Sequence, residues 1–135
     1  MARRGVGKTQ DLSSADRERV LLRDRGRCLR CGHRPVTLQH RRAKGMGGLG
    51  VKAVRLTPAD ALALCADCNA RAESDLQDEA LRCGWKVPRF SPTPCHEIPY
   101  FDRLTGNWWL PNKEGRRKWV DPGWAMDRVA LAMAA

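Results

Sequence analysis

Two Cys-x-x-Cys pairs, Cys28 with Cys31 and Cys65 with Cys68, constrain this chain more than any other feature. Each pair can close a tight knuckle, and four thiolates at this spacing complete the tetrahedral shell of one Zn²⁺. The knuckles must meet in space, so everything between them has to leave the metal and return to it. The long loop between the pairs joins the two knuckles.

The chain has six cysteines in all, and two readings of them compete: a disulfide scaffold or a metal site in a reducing compartment. Met1 to Lys8 carries charge with no apolar segment behind it, and no run approaches the roughly 18 apolar residues of a membrane span. The expectation is therefore a cytoplasmic protein with no membrane segment and a structural zinc. At 135 residues the chain is long enough for one modest core, stapled by the metal.

Charge is distributed unevenly. Residues 1–60 hold 15 Lys and Arg against 5 Asp and Glu, whereas residues 61–135 hold 10 of each, so the net +10 lies in the first half. A basic half beside a neutral one suits a polyanion, because neutralised phosphates release condensed counterions. Nucleic acid is the expected partner.

Residues 1–12, short, basic and glycine-containing, read as a flexible arm. Ser13 or Ser14 can cap a helix over Ala15 to about Arg25, with Val20, Leu21 and Leu22 as its apolar stripe and Gly26 as its stop. Pro35 to Leu38 suggests a strand running into Gln39 and His40, followed by the basic, glycine-rich stretch Arg41 to Gly48. A second strand is expected near Ala61 to Leu64, then a helix from Asn69 to about Leu81, ended by Gly84. Beyond it, short aromatic runs separated by Pro and Gly, with Thr105-Gly106-Asn107 as a hairpin turn, read as a β-rich appendage closed by a helix from Trp124. The expected fold class is α+β, divided into an arm (1–12), a zinc-stapled core (13–83) and the appendage (84–135).

Chemistry on a phosphodiester needs a base for water and a cation for the charge that develops on phosphate. His40 suits the first role, having a pKa near neutrality, and oxygen donors suit the second. Asn69 opens the helix after the second knuckle, and Glu73 shares its helical face. His33 reads as a surface residue, and Cys83 with Cys95 and His96 falls short of a second metal site.

These residues resemble the HNH endonucleases, the ββα-metal nucleases, and within them the phage-type and endonuclease VII-like proteins that carry a four-cysteine zinc. The resemblance spans roughly Asp16 to Leu81. It lies in Arg23 to Gly32 around the first knuckle, in Gln39-His40-Arg41-Arg42-Ala43-Lys44-Gly45-Met46-Gly47-Gly48, in Thr57 to Cys65, and in Asn69 to Ser74. It implies an enzyme that hydrolyses DNA, expected to be double-stranded, leaving 5′-phosphate and 3′-hydroxyl ends.

By the same resemblance His40 is the general base and Asp60 orients its ring. Gln39, Asn69 and Glu73 surround a catalytic Mg²⁺ or Mn²⁺, and Arg41, Arg42, Lys44 and Arg71 hold the DNA backbone. Arg3, Arg4 and Lys8 add salt-sensitive affinity. Gln39 stands where His or Asp is usual, Asp60 replaces Asn, and Asn69 replaces His. Phage packaging proteins are partners by resemblance only, and a monomer is the default. The alternative from another class is a zinc-stapled DNA-binding protein without catalysis.

Overall fold

The computed structural model describes residues 12–42 and 55–134. The arm, with Arg3, Arg4 and Lys8, and the loop bearing Lys44 lie outside the described residues, apart from Leu12. That residue, assigned to the arm on sequence, is buried against Val20 and Ala61.

Helix α1 covers Ser14–Arg23, capped by Ser13, whose side chain accepts from the Asp16 amide. Its inward residues are Val20 and Arg23, while Leu22, expected in the stripe, is 73 % exposed. Arg23 can turn inward because every polar need is met there. Its guanidinium grips both carboxylate oxygens of Asp24 and donates to the Pro58 and Ala61 carbonyls.

Strand β1 (Thr37–His40) pairs antiparallel with β2 (Ala61–Leu64), placing Gln39 opposite Leu62 and His40 opposite Ala61. Every residue of β2 is buried, because both of its faces are covered. Leu62 and Leu64 join the cluster around the cysteines, whereas Ala61 meets Val20 and Leu12.

Helix α2 (Ala66–Arg71) follows at once, then α3 (Gln77–Arg82). The single helix expected from Asn69 to Leu81 is thus two helices with a turn between. Leu76 N–H bonds the Arg71 carbonyl across the break, and Asp75 folds back onto the Arg71 guanidinium. Ser74 and Asp75 are weak helix formers that compete for backbone groups, so the break falls on them.

Strands β3 (Tyr100–Asp102), β4 (Asn107–Pro111) and β5 (Arg117–Val120) form a second antiparallel sheet, and helix α4 (Pro122–Met133) packs Ala125, Val129 and Ala132 against Trp108 and Val120. The expected turn at residues 105–107 and the terminal helix are both present. The molecule is mixed α and β, and no described helix is long and apolar enough to cross a membrane.

The boundary drawn at residue 84 has no counterpart in the packing. Trp85 and Tyr100 lie in one apolar cluster with Cys28, Leu29 and Leu64. Tyr100 stands between the guanidinium groups of Arg23 and Arg41, 5.1 and 5.6 Å from its centroid, and donates its hydroxyl to buried Asp24 at 2.8 Å. Gly84, at φ 74°, has the Pro99 carbonyl oxygen 2.1 Å from where a Cβ would stand.

Tyr100→Phe should lower stability by about 1–3 kcal/mol, since it strips a donor from a buried carboxylate. Gly84→Ala should cost at least as much, from both the left-handed backbone and the collision. Chemical denaturation of each variant measures these losses.

Candidate metal centre and the surface beside it

The four knuckle sulfurs, from Cys28, Cys31, Cys65 and Cys68, all lie within 4.8 Å of one another. Cys31 Sγ and Cys65 Sγ are 3.6 Å apart. A tetrahedron with a metal–sulfur bond of about 2.3 Å has edges of about 3.8 Å, so these sulfurs already stand at ligand spacing and far beyond a disulfide bond. The donor set suits a structural zinc. With four thiolates, no position would remain for water.

Local structure explains the convergence. Cys28 N–H bonds the His33 carbonyl and Gly32 N–H bonds the Cys28 carbonyl, closing the first knuckle with Gly32 at φ 81°. In the second, Cys65 is the N-cap of α2 and its sulfur accepts from the Cys68 amide. Strand β2 delivers Cys65, and Leu29 N–H bonds the Ala63 carbonyl, fastening one knuckle to the strand that ends in the other.

Thiol electrostatics favour a shared cation. Burial alone would raise the Cys28 thiol, but backbone amides of Cys65, Cys31 and Arg30 directed at it hold it below its ordinary value. Burial and neighbouring thiols push Cys31 and Cys68 up, with Arg30 opposing this at Cys68. Cys28 is thus easier to ionise than Cys31 or Cys68, and a divalent ion would offset the repulsion between their thiolates. Arg30 Nη1 lies 3.8 Å from Cys68 Sγ, and exposed His33 lies 3.3 Å from Cys31 Sγ through Nδ1. The sequence reading missed both contacts, although Arg30 stands inside a Cys-x-x-Cys pair. Cys83 and Cys95 pack in different clusters, so they form no second centre.

The residues expected at a catalytic cation lie on β1 and on or just after α2. Gln39 is 2 % exposed on β1, sharing a strand face with Thr37, and its Nε2 has no hydrogen-bond partner. Asn69 on α2 donates its amide nitrogen to Thr37 Oγ1 at 2.8 Å, and that hydroxyl donates to the Leu64 carbonyl. This chain of donors orients the Asn69 amide. Both side chains carry a neutral amide oxygen, Gln39 inside the fold and Asn69 half-buried on the helix. Glu73 lies past the end of α2 and forms an ion pair with Lys86.

His40, partly exposed, is the last residue of β1 and projects opposite to Gln39. Asp60 stands next to Ala61, the partner of His40, and its Oδ2 accepts from the Thr57 amide and hydroxyl, with the Cys95 thiol against the same carboxylate.

The arginines assigned to DNA are mostly spent inside the protein. Arg41 is 0 % exposed and donates to five carbonyls, those of Gly84, Ala59, Cys95, Ile98 and Pro99. It cannot reach a phosphate. Arg42 donates to Pro88, Ser91 and Thr93, and Arg71, though exposed, is paired with Asp67 and Asp75. Comparisons with models of protein families, with curated proteins and with solved structures give no match to this chain.

Cys65→Ser should lose the metal and most of the cooperative melting transition, because structural zinc binding is folding free energy. Metal content and thermal melting check it. Zinc affinity should rise with pH, since thiols held protonated must release protons to bind.

Proposed function

We propose that the chain is a metal-dependent endonuclease of the HNH type, acting on DNA phosphodiester bonds. The observation that carries this reading is the succession of β1, β2 and α2 over a four-thiol cluster, with His40 ending the first strand and Asn69 in the helix. That order brings a titratable imidazole to the point where the chain enters the basic stretch after Arg42.

His40 removes a proton from water, and the resulting hydroxide attacks phosphorus as the P–O3′ bond breaks; the departing 3′ oxygen takes a proton from solvent, giving 5′-phosphate and 3′-hydroxyl ends. Asp60, beside the residue paired with His40, is assigned to orienting the ring. Gln39 and Asn69 would hold the catalytic Mg²⁺ or Mn²⁺, which when bound supplies positive charge to the phosphate and the departing oxygen. Adjacent strand residues project to opposite sides, so His40 and the Gln39–Asn69 pair share a phosphate only at the strand's end. Glu73 and Arg41 have no part in this scheme.

One set of observations favours a second reading, a zinc-stapled DNA-binding protein without hydrolysis. Gln39 is buried, and the one carboxylate expected at the cation, Glu73, is held by Lys86.

Nicking of supercoiled plasmid in Mg²⁺ or Mn²⁺ separates the two. The nuclease should lose at least about 100-fold activity on His40→Ala with zinc content unchanged. A wild type silent in every divalent metal, yet bound to DNA, would establish the second reading. Gln39→Asp supplies a readout independent of turnover: a buried carboxylate should lower the melting temperature in chelator and recover it in Mn²⁺. No recovery would remove Gln39 from the cation site.

A further inference from the structure

With Arg41 and Arg42 turned inward, the cations available to a polyanion must be sought elsewhere. The neutral second half of the sequence hides a local excess. Between Pro111 and Val120 the chain carries Lys113, Arg116, Arg117 and Lys118 against Glu114 alone. Arg117 is committed, lying 3.4 Å from Asp24 and 4.1 Å from the Trp109 ring centroid. Lys113, Arg116 and Lys118 are exposed, and none pairs with a carboxylate among the described residues.

The segment joining β4 to β5 is held in one shape. Asn112 Oδ1 accepts from the Glu114 and Arg116 amides, and Asn112 N–H bonds the Arg116 carbonyl. At its tip, Gly115 (φ 93°) lies so close to α1 that a Cβ would stand 2.8 Å from Arg19 Cβ. Three unpaired cations thus sit on a backbone braced at its base and its tip. A backbone fixed before binding lowers the ordering cost of gripping a partner.

Two surface concavities flank this hairpin, of about 570 and 630 Å³, and both are lined by Lys113 and Arg116. Arg116, just before β5, and Lys118 within it have Cα atoms at most about 7 Å apart. That is on the scale of successive phosphates in one nucleic-acid strand. Acidic groups at the rim are few: Asp16 is paired with Arg19, and Glu114 is the remaining one.

We infer that the β4–β5 hairpin is a phosphate-backbone contact surface for duplex DNA, with Lys113, Arg116 and Lys118 as its cations. The inference rests on the DNA reading above, and it moves the principal described backbone contact from the arginines after His40 to the far sheet.

The test uses the zinc-loaded full chain carrying His40→Ala, so that no cleavage intervenes, with a fluorescein-labelled duplex of about 30 base pairs followed by anisotropy between about 50 and 300 mM salt. Lys113→Gln/Arg116→Gln/Lys118→Gln should weaken binding about tenfold or more near 0.1 M salt and reduce the salt slope by about 2–3, roughly 0.9 per phosphate. Lys113→Arg/Lys118→Arg should bind as the parent does. If the triple variant melts early, Lys118→Gln alone should still reduce the slope by about 0.9.

An unchanged slope in the hairpin variants would overturn the inference. So would an equal loss in the charge-matched Arg34→Gln/Arg55→Gln/Arg82→Gln, or competition by polyglutamate as strong as that by unlabelled duplex, which would point to an acidic protein. Cleavage by the chain with His40 intact is read separately. Binding through the hairpin without nicking keeps this inference and removes the nuclease; nicking with undiminished binding in the hairpin variants does the reverse.

Discussion

Four sulfurs drawn within 4.8 Å of one another are the constraint from which the remaining architecture follows. Cys65 ends β2 and caps α2, so fixing its sulfur fixes a strand and a helix together. Cys28 and Cys31 come in from the other side, and the Leu29 amide bonds into the same strand. The segment between the knuckles must leave and return, and β1 pairing with β2 is how it does so. A core of this size gains from such a staple because its buried apolar area alone offers a small margin over conformational entropy.

Around that staple, buried charge decides how the second sheet docks. Asp24 accepts from Arg23, the Ala63 amide and the Tyr100 hydroxyl, and Arg117 approaches the same carboxylate. Arg41 satisfies its donors on five carbonyls from three separate stretches of chain. An arginine left buried without partners would be prohibitively costly, so each such group demands the specific backbone that surrounds it. These contacts join residues before 42 to residues after 84, which is why the C-terminal sheet is part of the core and not an attachment to it.

Much of the first half was legible in sequence. The Cys-x-x-Cys spacing implies its cluster, Ser13 its cap, and the run Ala61 to Leu64 its strand, because each depends on neighbours in the chain. The Asn69 to Leu81 helix was misread because propensity summed over the window outweighed two weak residues, Ser74 and Asp75, whose bonds to Arg71 break it. Gln39 and His40 could be placed on a strand, and Asn69 on a helix, by type and position. That Glu73 would pair with Lys86 could not, since the fold brings Lys86 there.

The sequence by itself determined that one metal could be held, where the first strands and helices run, and that positive charge is in excess. All three follow from spacing, local capping and composition. Only the tertiary structure decided which cations face water. Arg41 and Lys118 each carry one positive charge, yet one is enclosed by carbonyls and the other is exposed on its strand. The difference lies in where distant carbonyl groups converge, because a guanidinium enters the interior only where the folded backbone meets all its donors.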